Sequence, residues 1–142
     1  MLTDYHLHLQ PDGEQARTAD AHRWDAEGGP RSPGWIARYV GRARSRAVDE
    51  IAITEHVHRF ADVRDWHPNA WWQEEATEDL GAHCAALVQA REEYGLPVLV
   101  GLEMDWIAGR EDDTRALLAA HPFDIVLGSV HWLGDLAIDH PD

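Results

Sequence analysis

Four short runs of apolar and β-branched residues, each followed by a segment of helical or loop character, restrict this chain to an α/β architecture. Thr3 to Leu9 alternates in side-chain character before the turn signal Pro11-Asp12-Gly13, so a strand is expected to end near His8. Glu50-Ile51-Ala52-Ile53-Thr54 reads as a second strand, closed by Glu55-His56. Leu96 to Leu102 is a continuous apolar run ending at Glu103, and Asp124-Ile125-Val126-Leu127 leads to His131. Short buried strands separated by helices point to right-handed βαβ units and a parallel sheet wrapped by helices.

The connecting segments support that reading. Ser32-Pro33 offers a cap and a first-turn proline, and Trp35, Ile36, Tyr39, Val40 and Ala43 recur at helical spacing up to about Arg46. Glu74 to Tyr94 carries helix formers throughout, with Leu80, Cys84, Leu87 and Val88 on one face and Gly95 with Pro97 as a stop. Asp112 to Ala120 is expected as another helix. Glu14 to Pro33 and Phe60 to Trp72 lack a sustained period and read as loops. In the second of these, Trp66, Trp71 and Trp72 are expected to pack on the following helix more readily than to wall a pocket.

Composition narrows the partners. A chain of 142 residues with 44% hydrophobic content is sized for one domain with a core. Its formal net charge of -14 argues against a nucleic-acid surface or an anionic-membrane anchor. It does not exclude a small phosphate ester, because bound cations can reverse the local field. The single cysteine, Cys84, suits a packed thiol in a reducing compartment, and the apolar stretches are too short to span a bilayer, so a soluble, cytoplasmic protein is expected.

His6, His8, His56, Glu103 and His131 lie at or just past the carboxyl ends of the four expected strands. In parallel sheets and barrels that rim is where ligands and catalytic groups collect. His6 and His8, two apart on a strand, present their imidazoles to the same side, where one cation can accept both. Glu103 closes an apolar strand, so its carboxylate needs neutralising, and bridging two cations would do that. Imidazole with carboxylate and no cysteine suits zinc, manganese or iron better than calcium. No chemistry is assigned to His67, His83 or His121, and Asp105 is read as a cap for the next segment.

Asp4-Tyr5-His6-Leu7-His8 with Pro11-Asp12-Gly13, then Thr54-Glu55-His56, Gly101-Leu102-Glu103 and Gly128-Ser129-Val130-His131, resemble the ordered motifs of the PHP family of metal-dependent phosphoesterases. The run Glu55-His56-Val57-His58-Arg59-Phe60 resembles its histidinol-phosphatase branch. The resemblance implies a distorted (β/α)7 barrel, of which about four βα units are present here, and two or three divalent metal ions (zinc, manganese or iron). It implies that His6 and His8 bind one metal, that Glu103 bridges to a second served by His131, and that His56 goes to a third with Asp12. Glu103 and His131 would be the catalytic pair. The implied reaction is attack of a metal-activated water on L-histidinol phosphate. Arg59 could grip the phosphate through its guanidinium fork, and His58 stands as an outer-sphere or loop residue.

The family pattern also needs a later His-Pro step and a terminal Asp-x-His pair. His140-Pro141 and Asp20-Ala21-His22 imitate these at the wrong places and are read as coincidence. Because a (β/α) barrel takes roughly 200 residues or more, residues 1–142 are expected to be the amino-terminal portion of a single barrel domain. Carboxyl-terminal truncation is the simplest explanation; a half-barrel that dimerises, or one completed by a partner chain, are the alternatives. Another PHP phosphoesterase specificity, or an inactive metal-binding module, are the competing functions.

Overall fold

A computed structural model describes residues 1–138. Its core is a four-stranded, wholly parallel sheet in the order β1 (Thr3–Asp4), β2 (Glu50–Ile53), β3 (Val98–Asp105) and β4 (Ile125–Ser129). Sequence order equals spatial order, so each strand is laid beside its predecessor after a crossover, as the βαβ reading requires. The sheet curls into part of a barrel with helices between the strands, consistent with the expected partial (β/α) architecture. The register pairs Ile51 with Val98, and Glu103 with Leu127. Ile51, Ala52, Ile53, Val98, Val100 and Leu102 are all essentially inaccessible, which explains why those strands read as unbroken apolar runs.

The crossover helices are α3 (Pro33–Arg44), α5 (Leu80–Glu92) and α6 (Glu111–Ala120). The Ser32 hydroxyl accepts from the Trp35 amide at 3.1 Å, and Pro33 occupies the first turn, so the α3 start follows its sequence signal. Trp35 Nε1 then donates to the Leu9 carbonyl at 2.8 Å, and the Tyr39 hydroxyl to that of His8 at 2.9 Å. The helix thereby holds the backbone just beyond β1.

Two expectations are corrected. The Glu14 to Pro33 excursion contains α1 (Glu14–Asp20) and α2 (His22–Asp25). Helices this short are marginal alone; tertiary anchors hold them, with Arg17 paired to Glu75 and Trp24 buried. The segment Glu74 to Tyr94 is also not one helix: α4 (Ala70–Glu75) stops, and α5 starts afresh after Asp79. The Thr77 and Glu78 amides both donate to the Arg59 carbonyl, at 3.1 and 2.9 Å, and the Asp79 carboxylate caps the Ala82 amide at 2.7 Å. Those long-range bonds and the new cap outweigh helix propensity. Between β2 and α4 the expected loop forms two 3-10 turns, Val57–Arg59 and Ala61–Trp66. Trp72 is fully buried, its indole donating to the Val63 carbonyl at 2.9 Å, in line with packing rather than pocket formation.

At Gly101, β3 passes close against the end of β2. A Cβ there would stand 2.5 Å from Thr54 Cγ2 and 2.7 Å from the Ile53 carbonyl oxygen. Because one clash is with backbone, Gly101→Ala is expected to destabilise the chain by roughly 1–3 kcal/mol. Gly41→Ala, in α3 with nothing within 4 Å of the added carbon, should be neutral or stabilising by up to about 1 kcal/mol. Urea unfolding of both variants checks this, and equal midpoints would refute the close approach.

The β4 edge and the segment beyond it are less covered. After β4 comes a hairpin of β5 (Trp132–Leu133) and β6 (Leu136–Ala137). Val126, Val130, Leu133, Leu136 and Ile138 are exposed, and α6 buries none of its residues.

Candidate metal centre

One carboxylate organises the rim. Glu103 points from β3 and is only 3% exposed. Its Oε2 lies 2.8 Å from His6 Nε2, 3.5 Å from His8 Nε2 and 3.0 Å from His56 Nδ1, while Oε1 is 3.3 Å from His131 Nε2. Four imidazoles from three other strand ends thus converge on one group. Burial alone would raise the Glu103 pKa, but His56 and His6 overcome it and hold the carboxyl at about 2. Backbone geometry supports the convergence: His56 pairs with Glu103 as an isolated parallel bridge, and the Glu103 amide donates to the Glu55 carbonyl at 2.9 Å.

These side chains form two overlapping sets, His6 with His8 and Glu103, and His56 with Glu103 and His131, each offering ligand atoms within 4.8 Å of one another. Zinc-like cations sit about 2.0–2.2 Å from nitrogen and oxygen ligands, which puts tetrahedral donors roughly 3.3–3.6 Å apart, and the 2.8–3.5 Å separations of the Glu103 oxygens from these imidazoles are close to that spacing. The donor chemistry fits as well. The sets mix imidazole with a shared, buried carboxylate, a donor combination that suits zinc, manganese or iron. The residues could therefore hold divalent cations, with Glu103 common to both positions.

His56 reaches in two directions. Its Nδ1 faces Glu103, and its Nε2 lies 3.3 Å from Asp12 Oδ2, the partner expected for it from the sequence. Its ring stacks on His8 at 4.2 Å and on His58 at 4.9 Å. Burial opposes ionisation of Asp12, but His58 and Arg59 hold its carboxyl well below the usual range. His58 is itself buried against Trp71; burial disfavours its charge, yet Asp105 and Asp12 raise its pKa.

Arg59 is only 1% exposed, and its Nη2 donates to the Gln10 carbonyl at 2.7 Å and to Asp12 Oδ1 at 2.6 Å. Its Nε is 3.2 Å from Glu55 Oε2, and Glu55 Oε1 accepts from the Leu9 amide at 2.5 Å. Arg59 and Glu55 thus brace the turn that carries His8 and Asp12, a role that sequence reasoning missed. The signal was present in the Glu55 to Arg59 spacing, which suits an ion pair within a helical turn. Arg59 also borders a cleft of about 340 Å³ beside His6, His8 and His56, whose far side is formed by Trp24, Trp35 and Tyr39.

Asp105 is the other missed residue: it is buried and contacts His131 rather than capping the next segment. His22 Nδ1 lies 3.0 Å from the Ala19 carbonyl three residues earlier, and Asp20 borders the cleft beside His6, His8 and His56. His140-Pro141 lies outside the described residues.

Fold and rim together define an α/β protein with a histidine and carboxylate site, able to hold divalent cations, at the carboxyl ends of a curled parallel sheet. The PHP domain model matches residues 31–140, most of the chain, and the chain belongs to the PHP domain family. A probable histidinol-phosphatase of Deinococcus radiodurans is 27% identical over 143 residues, covering 99% of this chain and 46% of its own length. The chain spans about half the length of this curated relative. No helix among the described residues is long and apolar enough to cross a membrane.

Proposed function

We propose that the chain carries the metal-binding part of a histidinol-phosphatase, which hydrolyses L-histidinol phosphate to L-histidinol and phosphate in histidine biosynthesis, in the cytoplasm. The observation that carries the hydrolase reading is the convergence of His6, His8, His56 and His131 on the single buried carboxylate of Glu103. The choice of substrate rests on the name of the D. radiodurans relative. In this reading His6, His8 and Glu103 hold one cation and Glu103 with His131 a second, both acting directly in catalysis. His56 and Asp12 serve a third or complete the second.

Zinc, manganese or iron bound there would acidify a water for in-line attack and neutralise the phosphoryl oxygens. The protein's own share is placement. Glu103 would supply negative charge to both ion positions, and Arg59, whose guanidinium is buried, fixes Asp12 at the border of the adjoining cleft. The exposed apolar residues at and beyond β4 suit cover by further strands of the barrel, supplied by more of the same polypeptide or, if the half-barrel is genuine, by a second copy or a partner chain.

The test is phosphate release by the manganese- or zinc-loaded chain from L-histidinol phosphate and a panel of other phosphomonoesters and nucleotides. Preference for L-histidinol phosphate supports the proposal. Turnover of a different ester alone replaces the substrate, and tight metal binding with no turnover indicates an inactive binding module. In the same preparations His8→Ala is expected to remove about one equivalent of metal, because only the first set contains His8. Unchanged stoichiometry would take His8 out of the ligand set.

A further inference from the structure

Glu103 and Asp105 both belong to β3 and, two residues apart, project to the same side of the sheet. The pair repeats on β3 the spacing of His6 and His8, but its second carboxylate belongs to neither cation set. Asp105 is 1% exposed, a costly position for a carboxylate that had no function there. One of its oxygens, Oδ1, collects three neighbours: the Ser129 hydroxyl at 3.2 Å, the His131 amide at 3.1 Å and His131 Nδ1 at 2.8 Å. The other, Oδ2, faces His58 Nδ1 at 4.0 Å, beyond hydrogen-bond reach.

The two nitrogens of His131 therefore address two different carboxylates. Nδ1 meets Asp105, and Nε2 lies 3.3 Å from Glu103 Oε1, on the side where the second cation set converges. A neutral imidazole can donate from one nitrogen only, leaving the other as a lone-pair donor to metal. An anionic acceptor on Nδ1 selects the tautomer with its proton there and leaves the Nε2 lone pair to ligate. Register makes the arrangement rigid: Asp105 is the β3 partner of Ser129, so the residues flanking the carboxylate are fixed by the strand pair that ends beside His131.

We propose that Asp105 is a positioning residue: through Nδ1 it fixes the tautomer and ring orientation of His131, and so prepares the second cation position without touching the cation. The proposal rests on the metal-centre reading. It differs from a merely structural role, in which Asp105 would serve the Ser129 and His131 backbone turn alone and leave the ring able to bind metal through either nitrogen.

Two measurements on the 142-residue chain decide it. In the zinc-loaded protein with 15N-labelled histidine, His131 is expected to show a protonated Nδ1 and a ligated Nε2; ligation through Nδ1 overturns the proposal. In cobalt titrations followed by visible absorption, Asp105→Asn is expected to weaken the second equivalent by about 10- to 100-fold and to shift its bands, with the first equivalent retained. Unchanged affinity and bands for both equivalents overturn it. Should Asp105→Asn fail to fold, the nitrogen assignment in the unsubstituted chain still decides between the two roles. Failure of the unsubstituted chain to take up either metal overturns the metal-centre reading itself, and the proposal with it, which distinguishes that outcome from a fault in the Asp105 assignment alone.

Discussion

Glu103→Gln is expected to strip the proposed centre of both cations together, lowering apparent metal affinity by more than about 100-fold at each position, beyond the usual 10–100-fold cost of losing an outer-sphere partner. The substitution keeps the shape of the side chain but removes its charge and turns one acceptor oxygen into a donor. At a position 3% exposed and facing four imidazoles, neither loss is compensated by solvent. His8→Ala provides the contrast, since it thins one ligand set while Glu103→Gln touches both. Metal analysis after equilibrium dialysis separates the two patterns. Loss of a single equivalent in Glu103→Gln would remove its bridging role and leave it an ordinary ligand of one site. Retention of both would end the proposal that this rim is the metal centre.

The parts of this site that could be read in the sequence are those in which a polar residue interrupts an apolar run. His6, His8, His56, Glu103 and His131 each follow residues destined for the sheet, and parallel topology alone brings such positions to one rim. β2 and β3 were legible for the same reason, since burial on both faces leaves an uninterrupted apolar stretch, whereas β1 ends at Asp4, short of the end expected near His8, and β4 is half exposed. What escaped depends on contacts distant in sequence. The break between α4 and α5 is imposed by the Arg59 carbonyl, and α1 is anchored through Arg17 to Glu75, neither of which leaves a local pattern. Asp105 escaped because the strand was ended at Glu103, whereas β3 continues for two more residues and carries a second carboxylate on the same face. Arg59 drew notice as a phosphate grip, yet its guanidinium is buried between Gln10, Asp12 and Glu55. The Glu55 to Arg59 spacing suits the ion pair, but what the pair braces depends on the fold.

His83 gives the chain an acid-sensitive stability, and replacing it is expected to remove that sensitivity. The side chain lies in α5, 1% exposed, its ring 5.3 Å from Phe60 and its Nε2 without a hydrogen-bond partner. Burial drives its pKa down to about 4; the Glu55 charge opposes that shift and Arg31 and Arg59 reinforce it. In the unfolded chain the same imidazole titrates near 6.5. Between those values the unfolded state binds a proton that the folded state refuses, so stability falls as pH drops from about 6.5 to 4. The expected loss by pH 4.5 is about 2–3 kcal/mol, a large share of the roughly 5–15 kcal/mol that holds a typical domain together. The other perturbed groups act elsewhere. Glu55, Asp12, Glu103 and Asp105 have lowered values, so their contributions disappear only below the ordinary carboxylate range. His58 is raised, so its contribution is lost as pH climbs above 6.5. Urea unfolding of the parent chain and His83→Leu, in chelator so that cation release does not enter, should give stability curves that diverge between pH 6.5 and 4.5, the parent falling more steeply. Parallel curves across that interval would mean that His83 is protonated in the fold or reached by water, and that the layer beneath the metal rim is wetter than its geometry indicates.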